Sequence, residues 1–232
     1  MDREALKTVL SGSSMFTGLD ETAMAAVISR SFTRQVGADA VVFNQGDPPN
    51  SLYFVARGLV KVTHLSSGGS QTILRIMGSG EVMGCAAVFE QFPYPATATA
   101  IEDSEILYWG AGPFRQLMQD HPQLAHNGLS VVGNRVRDFV LRIGEGTSLS
   151  AVQRVAATLL RLAEESGAKP ESGGAVAVAT TRRDLADMAG TTYFTVSRAM
   201  SAWTREGVLE SSRQRVLLKA PHRLQAIVAE SS

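Results

Sequence analysis

TTRRDLADMAGTTYFTVSRAMSAWTREGVLESSRQRVLL, residues 180–218, decides how the C-terminal part of this chain folds. Thr181 followed by Asp184 opens a helix in the manner of a capping box, with Asp in place of the longer Glu or Gln. Leu185, Ala186 and Ala189 give that helix a small apolar face, and Gly190 ends it. Thr191 is the expected cap of a second helix of about four turns. On this second helix Val196, Met200 and Trp203 recur at spacings of four and three, so they share its buried face. Tyr193, Phe194, Ser197, Arg198 and Ser201 lie on its other faces. After Gly207 the runs V-L-E and R-V-L-L predict two short strands around a turn that carries Arg213 and Arg215. Helix, tight turn, helix and basic wing within about forty residues form a device that puts one helix into the major groove of DNA. The candidate DNA contacts are Arg183, Thr191, Thr192, Tyr193, Phe194, Thr195, Ser197, Arg198, Arg213 and Arg215.

Charge is distributed to match. The chain of 232 residues is neutral overall. Residues 1–125 hold eight Lys and Arg against twelve Asp and Glu, a charge of −4, whereas residues 126–179 carry +1 and residues 180–232 carry +3. A basic end beside an acidic front suits a DNA-binding domain joined to one that stays off DNA. No run of about eighteen apolar residues is present to span a membrane, and a basic-plus-apolar leader is lacking. The cytoplasm is the expected location. The one cysteine, Cys85, excludes an internal disulfide and a four-thiolate iron–sulfur cluster.

From Phe32 to Tyr108 short β-like runs alternate with Gly, Pro and Asp. They are Val41–Phe43, Leu52–Val55, Val60–Val62, Thr72–Ile76 and Glu105–Tyr108. Their rhythm predicts a compact sandwich or barrel. Pro113 to about Glu145 reads as helical, and Leu129, Val132, Val136, Phe139 and Ile143 follow 3-4-3-4 spacing. That is the narrow seam of a coiled coil. Gly144, Gly146 and Ser148–Ser150 are the expected hinge before a helix over Val152–Glu165, a Gly/Ser/Pro-rich loop 166–174 and a strand over Ala175–Ala179.

The C-terminal segment resembles the winged helix of the CRP/FNR family of bacterial transcription regulators. The family's recognition helix carries Glu-Thr-Val/Ile-Ser/Gly-Arg, and this chain has Phe194-Thr195-Val196-Ser197-Arg198. Ser and Arg match the FNR-like version, and Phe194 replaces the base-reading Glu. The front half is similar to the jelly-roll of the cyclic-nucleotide-binding domain, with Gly46-Asp47, Leu52–Val55, Gly58 and Val60–Val62 in place. The resemblance implies an α+β protein with a β jelly-roll sensor domain at 1–120, a long dimerisation helix and hinge at 121–147, and a winged helix-turn-helix at 148–232. It implies an effector pocket at Met83, Gly84, Cys85, Pro95, Ala96 and Thr97, walled by Phe139 and Val140 of the dimer helix. In cyclic-nucleotide binders this region supplies an acid for the ribose and an Arg-Ser pair for the phosphate. Here Cys85 stands at the acid's place, and no Lys or Arg occurs within residues 76–114. Burying a phosphodiester without a cation is costly, so cyclic AMP is not the expected effector.

The resemblance thus implies a homodimer that binds a palindromic operator in double-stranded DNA, responds to a small-molecule or gas effector and contacts RNA polymerase. The rival reading is a sensor subunit that binds protein rather than DNA. An enzyme is not expected, because nothing pairs a nucleophile with a base and an orienting group. Haem is the one cofactor held open: some relatives sense gases through it, and His64, His121, His126, His222 or Cys85 would have to ligate it. The other reading makes the histidines surface or capping residues and Cys85 a small core side chain. No pair of histidines has the i, i+4 spacing of a metal site.

Overall fold

A computed structural model describes residues 3–165, 175–212 and 215–230, which form two compact units, Met1–Asp138 and Phe139–Ser232. In the first, helices α1 (Arg3–Ser11) and α2 (Glu21–Ser29) precede eight strands: β1 Phe32–Val36, β2 Val41–Phe43, β3 Ser51–Arg57, β4 Val60–Leu65, β5 Gln71–Met77, β6 Val82–Met83, β7 Thr97–Ala100 and β8 Ser104–Gly110. Helix α3 (Cys85–Glu90) lies between β6 and β7. The strands form two four-stranded antiparallel sheets, ordered β1-β8-β3-β6 and β2-β7-β4-β5. Side chains alternate across a strand, and β3 uses both faces. Leu52, Phe54 and Ala56 join a core built with the helices, around Phe16, Trp109, Phe114, Leu124 and Val131. Val55, with Tyr53 at its margin, joins the core between the sheets, with Val60, Met77, Ala98 and Ile106. A strand buried on both sides reads as an unbroken apolar run, as Leu52–Val55 does.

The helix expected over Pro113–Glu145 is two helices, α4 (Ala111–Asp120) and α5 (Pro122–Ser148). His121 between them has φ −131° and ψ 86°. Proline forbids the α conformation to the residue before it and itself opens a helix well. Helix α5 packs one face on the roll. Leu124 and Val131 enter the core, and Asn127 donates to the carbonyls of Met15 and Thr17 at 3.1 and 2.8 Å. Gly128 permits the approach, since a Cβ there would stand 2.9 Å from the Phe89 ring.

The expected hinge at 144–150 is corrected as well. Gly144 and Gly146 are helical, and α5 ends at Ser148, with Thr147 and Ser148 hydroxyls donating to the Gly144 carbonyl. Only Leu149 and Ser150 separate α5 from α6 (Ala151–Glu165). Ser150 and Gln153 form a reciprocal capping box there: the Ser150 amide donates to Gln153 Oε1 at 2.8 Å and the Gln153 amide to Ser150 Oγ at 3.4 Å. The second unit continues with β9 (Val176–Ala179), α7 (Arg182–Met188), α8 (Tyr193–Arg205), β10 (Leu209–Ser211), β11 (Arg215–Leu218) and α9 (Pro221–Ala229). Its three strands pair in the order β10-β11-β9. Helix α9, opened by Pro221, was not foreseen; it packs on α6, whose Gln153 side-chain Nε2 donates to the carbonyls of Ile227 and Glu230. The loop 166–174 and Arg213 lie outside the described residues.

Candidate nucleic-acid interface and sensor site

Helices α7 and α8 form the helix-turn-helix, and each begins on a threonine. Thr181 Oγ1 accepts from the Asp184 amide at 3.1 Å, and its hydroxyl donates to the Asp184 carboxylate at 2.7 Å. The cap of α8 is Thr192 rather than Thr191: Thr192 Oγ1 accepts from the Thr195 amide at 3.2 Å. Gly190, at φ +57°, makes the turn between the helices, and this left-handed conformation lets the Thr191 amide reach back to the Ala186 carbonyl at 3.0 Å. That bond leaves Thr191 in the turn, one residue too early to cap.

Val196, Met200 and Trp203 are buried as their spacing requires. The opposite face of α8 is open: Tyr193 is 51% and Phe194 77% exposed, and Arg198, one turn beyond Phe194, is exposed with no acidic partner among the described residues. Arg183 on α7 is exposed too, while Thr191, Thr195 and Ser197 are half-buried. Arg215 opens β11 on the wing, opposite Ala179, and is exposed.

Two arginines of this unit escaped the sequence reading. Arg182 Nη1 donates to Ser197 Oγ at 2.9 Å, tying the two helices together and filling an acceptor position of the hydroxyl, whose proton stays available to a base. Arg154, on α6, donates to the carbonyls of Leu149, Ala189 and Gly190 at 2.9, 2.9 and 3.1 Å. It thereby satisfies carbonyls at the C-terminal end of α7. Neither contact leaves a mark in hydrophobic periodicity, because both are made by single long side chains between elements.

In the sensor roll, Gly84 has φ +76°, and a Cβ on it would lie 2.9 Å from Tyr94 Cε1. Tyr94 is buried, stacks near Phe43 at 4.3 Å between ring centroids, donates its hydroxyl to the Ser51 carbonyl at 2.5 Å and accepts from the Ser51 amide at 3.0 Å. Burial pushes its phenol up to about 12. Of the pocket candidates, Met83, Cys85 and Ala96 are 2%, 3% and 4% exposed, so they belong to the packed interior in this arrangement. Thr97 Oγ1 accepts from the Gln45 amide at 2.9 Å, and Pro95 is exposed with its carbonyl 2.9 Å from His64 Nδ1. Phe139 and Val140 fall in the second unit, 46% and 62% exposed.

Two cations of this region come from outside residues 76–114. Arg75, from β5, bridges Glu81 at 3.2 Å and Asp138 at 3.0 Å, and Arg135, from α5, donates to the Val82 carbonyl. With Ser14 and Asn134 they line a cavity of about 150 Å³. Cys85 is packed in the helix-side core, His64 is engaged by Pro95, and no cluster of three His, Cys, Asp or Glu that could hold a metal occurs among the described residues. No helix among them is long and apolar enough to cross a membrane.

Residues 33–121 match the cyclic nucleotide-binding domain family and residues 153–227 the Crp-like helix-turn-helix domain family. The cyclic AMP receptor protein of Thermus thermophilus is 30% identical over 200 residues, which cover 86% of this chain and 89% of that protein. A CRP-like cAMP-activated global transcriptional regulator of Mycobacterium tuberculosis is 26% identical over 218 residues, 93% of this chain and 96% of that one. Among solved structures, FixK2 from Bradyrhizobium japonicum shares the fold with a TM-score of 0.75 at 23% identity, over 87% of this chain and 99% of that one. A sensor roll, a long helix and a winged helix-turn-helix in one order and over nearly the full length leave one reading: the chain belongs to the CRP/FNR family of DNA-binding transcription regulators.

Proposed function

We propose that the protein is a homodimeric, effector-responsive regulator of the cytoplasm that binds a two-fold symmetric operator and works on RNA polymerase. The observation that carries this reading is the open face of α8, with Arg198 exposed, without an acidic partner among the described residues, beside two exposed aromatic rings. A guanidinium there donates two hydrogen bonds to O6 and N7 of one guanine. Ser197 with Arg198 suits a TTG-like core in each half-site. Arg183 and the wing residues Arg213 and Arg215 are assigned to phosphates, which position without reading sequence. Two copies joined along Leu129, Val132, Val136, Phe139 and Ile143 would present two such helices to half-sites about 34–36 Å apart.

The effector is proposed to be more apolar than a nucleotide. The Thermus and Mycobacterium relatives receive or are activated by cyclic AMP by their descriptions, but Cys85 here replaces the ribose acid and the segment 76–114 has no cation. An effector reaching Gly84 and Cys85 must displace the Tyr94 ring from its bonds to Ser51. Its binding would turn the DNA-binding units about Leu149–Ser150, a shift it can drive only by favouring one arrangement.

The test is selection of bound duplexes from a random pool by the purified protein. A palindromic motif with salt-dependent affinity is the expected result. Absence of DNA binding at low salt, with and without extract-derived small molecules, would leave the protein-binding sensor subunit as the better reading. Calorimetry with cyclic AMP checks the effector: micromolar binding would overturn the apolar assignment.

A further inference from the structure

Nothing in the first turn of α8 can do what an acidic base reader does. The helix from Tyr193 to Arg205 contains no Asp or Glu. Its foremost exposed side chain is Phe194, 77% open to solvent, held edge-on by the Tyr193 ring at 6.2 Å between centroids. Both rings stand clear of the apolar core, which takes Val196, Ala199, Met200 and Trp203 instead. Phe194 and Arg198 are four residues apart and lie on one helix face, so a groove that receives the guanidinium receives the phenyl ring as well. Of the hydroxyls beside them, Thr192 and Thr195 are engaged with each other at 3.0 Å, while Ser197 accepts from Arg182 at 2.9 Å and keeps its proton to donate.

The major groove offers a phenyl ring one apolar feature, the methyl group at C5 of a pyrimidine. Cytosine shows an amino group at that edge, which needs an acceptor and would lose its water against a ring. We infer that Phe194 is a specificity-determining residue that reads a pyrimidine C5-methyl next to the guanine contacted by Arg198, and so selects thymine over cytosine at that position. The inference rests on the DNA-binding reading above. It concerns a base that an acidic residue at this place would read with the opposite preference. Because the recognised group is the methyl and not the rest of thymine, 5-methylcytosine carries the same handle, and the two sources are separated by their exocyclic groups.

The probe is a duplex selected from a random pool by the wild-type protein, with each thymine flanking the selected guanine replaced in turn by deoxyuridine. Deleting one buried methyl is expected to weaken binding about fourfold per half-site, at one position only, while the other positions stay unchanged. Phe194→Ala, which touches no core residue, should bind that duplex more weakly and lose the distinction between thymine and uracil. Phe194→Glu should shift the selected base at that position to cytosine, and in wild type 5-methylcytosine should bind better than cytosine. A wild type that selects no motif sinks the DNA-binding reading and this inference with it. A wild type that selects a motif but treats thymine and uracil alike at every flanking position overturns the inference alone. So does a Phe194→Ala protein that keeps the discrimination.

Discussion

Tyr94 and Arg198 carry the two chemistries of this protein, one closed and one open. The phenol of Tyr94 both donates to and accepts from the Ser51 backbone, and burial raises it to about 12. An unfolded tyrosine ionises near pH 10. Between about 10 and 12 the folded chain therefore holds a proton that the unfolded chain has lost, and stability falls as pH rises through that window. Tyr94→Phe should cost about 1–3 kcal/mol at neutral pH, because the Ser51 amide is left without its acceptor, and should flatten the alkaline slope. Chemical denaturation at a series of pH values measures both, and an unaltered slope would assign the alkaline loss to another group. Arg198 is the reverse case, an exposed cation with no acidic partner among the described residues. Arg198→Ala should cost about 1–3 kcal/mol per half-site and relax preference at one guanine. Arg215→Ala should instead weaken binding to all sequences and lower the salt slope by about one phosphate's worth of released counterion. Titrations at several salt concentrations separate the two behaviours, and an identical selected motif from wild type and Arg198→Ala would remove Arg198 from base reading.

At the scale of elements, local rules govern the ends of helices more tightly than their lengths. Thr192 caps α8 while Thr191 is held in the turn by its amide bond to Ala186. Thr192→Ala should lower stability by about 1 kcal/mol, whereas Thr191→Ala should change it little. Thermal unfolding followed by far-ultraviolet circular dichroism decides between them, and equal losses would return the cap to Thr191. The sequence could place a cap near Gly190 but not choose between two adjacent threonines, since the choice depends on how far the left-handed glycine carries the chain. The same limit explains α5. Its apolar spacing is visible in the sequence, but the helical periodicity on either side of His121-Pro122 masks the stop there. Gly144 and Gly146 have the composition of breakers, yet they continue the helix, and the Thr147 and Ser148 hydroxyls donate to the Gly144 carbonyl. In the roll, strands with apolar runs were legible. The two-residue β6, Val82–Met83, is too short to show a period, and in the alternating Thr97–Ala100 the small residues give no hydrophobic signal. Arg75, Arg135, Arg154 and Arg182 were missed for a different reason: each acts across elements, and sequence distance hides that.

For the whole molecule the decisive surface is the outward side of α5. Its inward side is spent on the roll, through Leu124, Asn127, Gly128 and Val131. Leu129, Val136, Phe139 and Ile143 are left 71%, 55%, 46% and 71% exposed, with Val132 partly covered by the roll core. A row of large apolar side chains at 3-4-3-4 spacing is stable in water only when a second surface removes it from solvent. The proposed two-fold seam with another copy of the same helix would supply that surface and the symmetry a palindromic site requires. Val136 lies in the middle of the row, so a glutamate there would carry a charge into an apolar seam. Breaking a buried environment in this way costs on the order of 3–5 kcal/mol, enough to dissociate a dimer at micromolar concentration. Because Val136 is exposed in the single chain, Val136→Glu should leave the fold and melting profile of each unit intact. Light scattering should then give the monomer mass, and affinity for a two-half-site duplex should fall to that for one half-site. Val136→Leu, which keeps the seam apolar, should remain dimeric on both measures. An unchanged dimer mass for Val136→Glu would show that the copies meet elsewhere, and α5 would then need another partner for its exposed row.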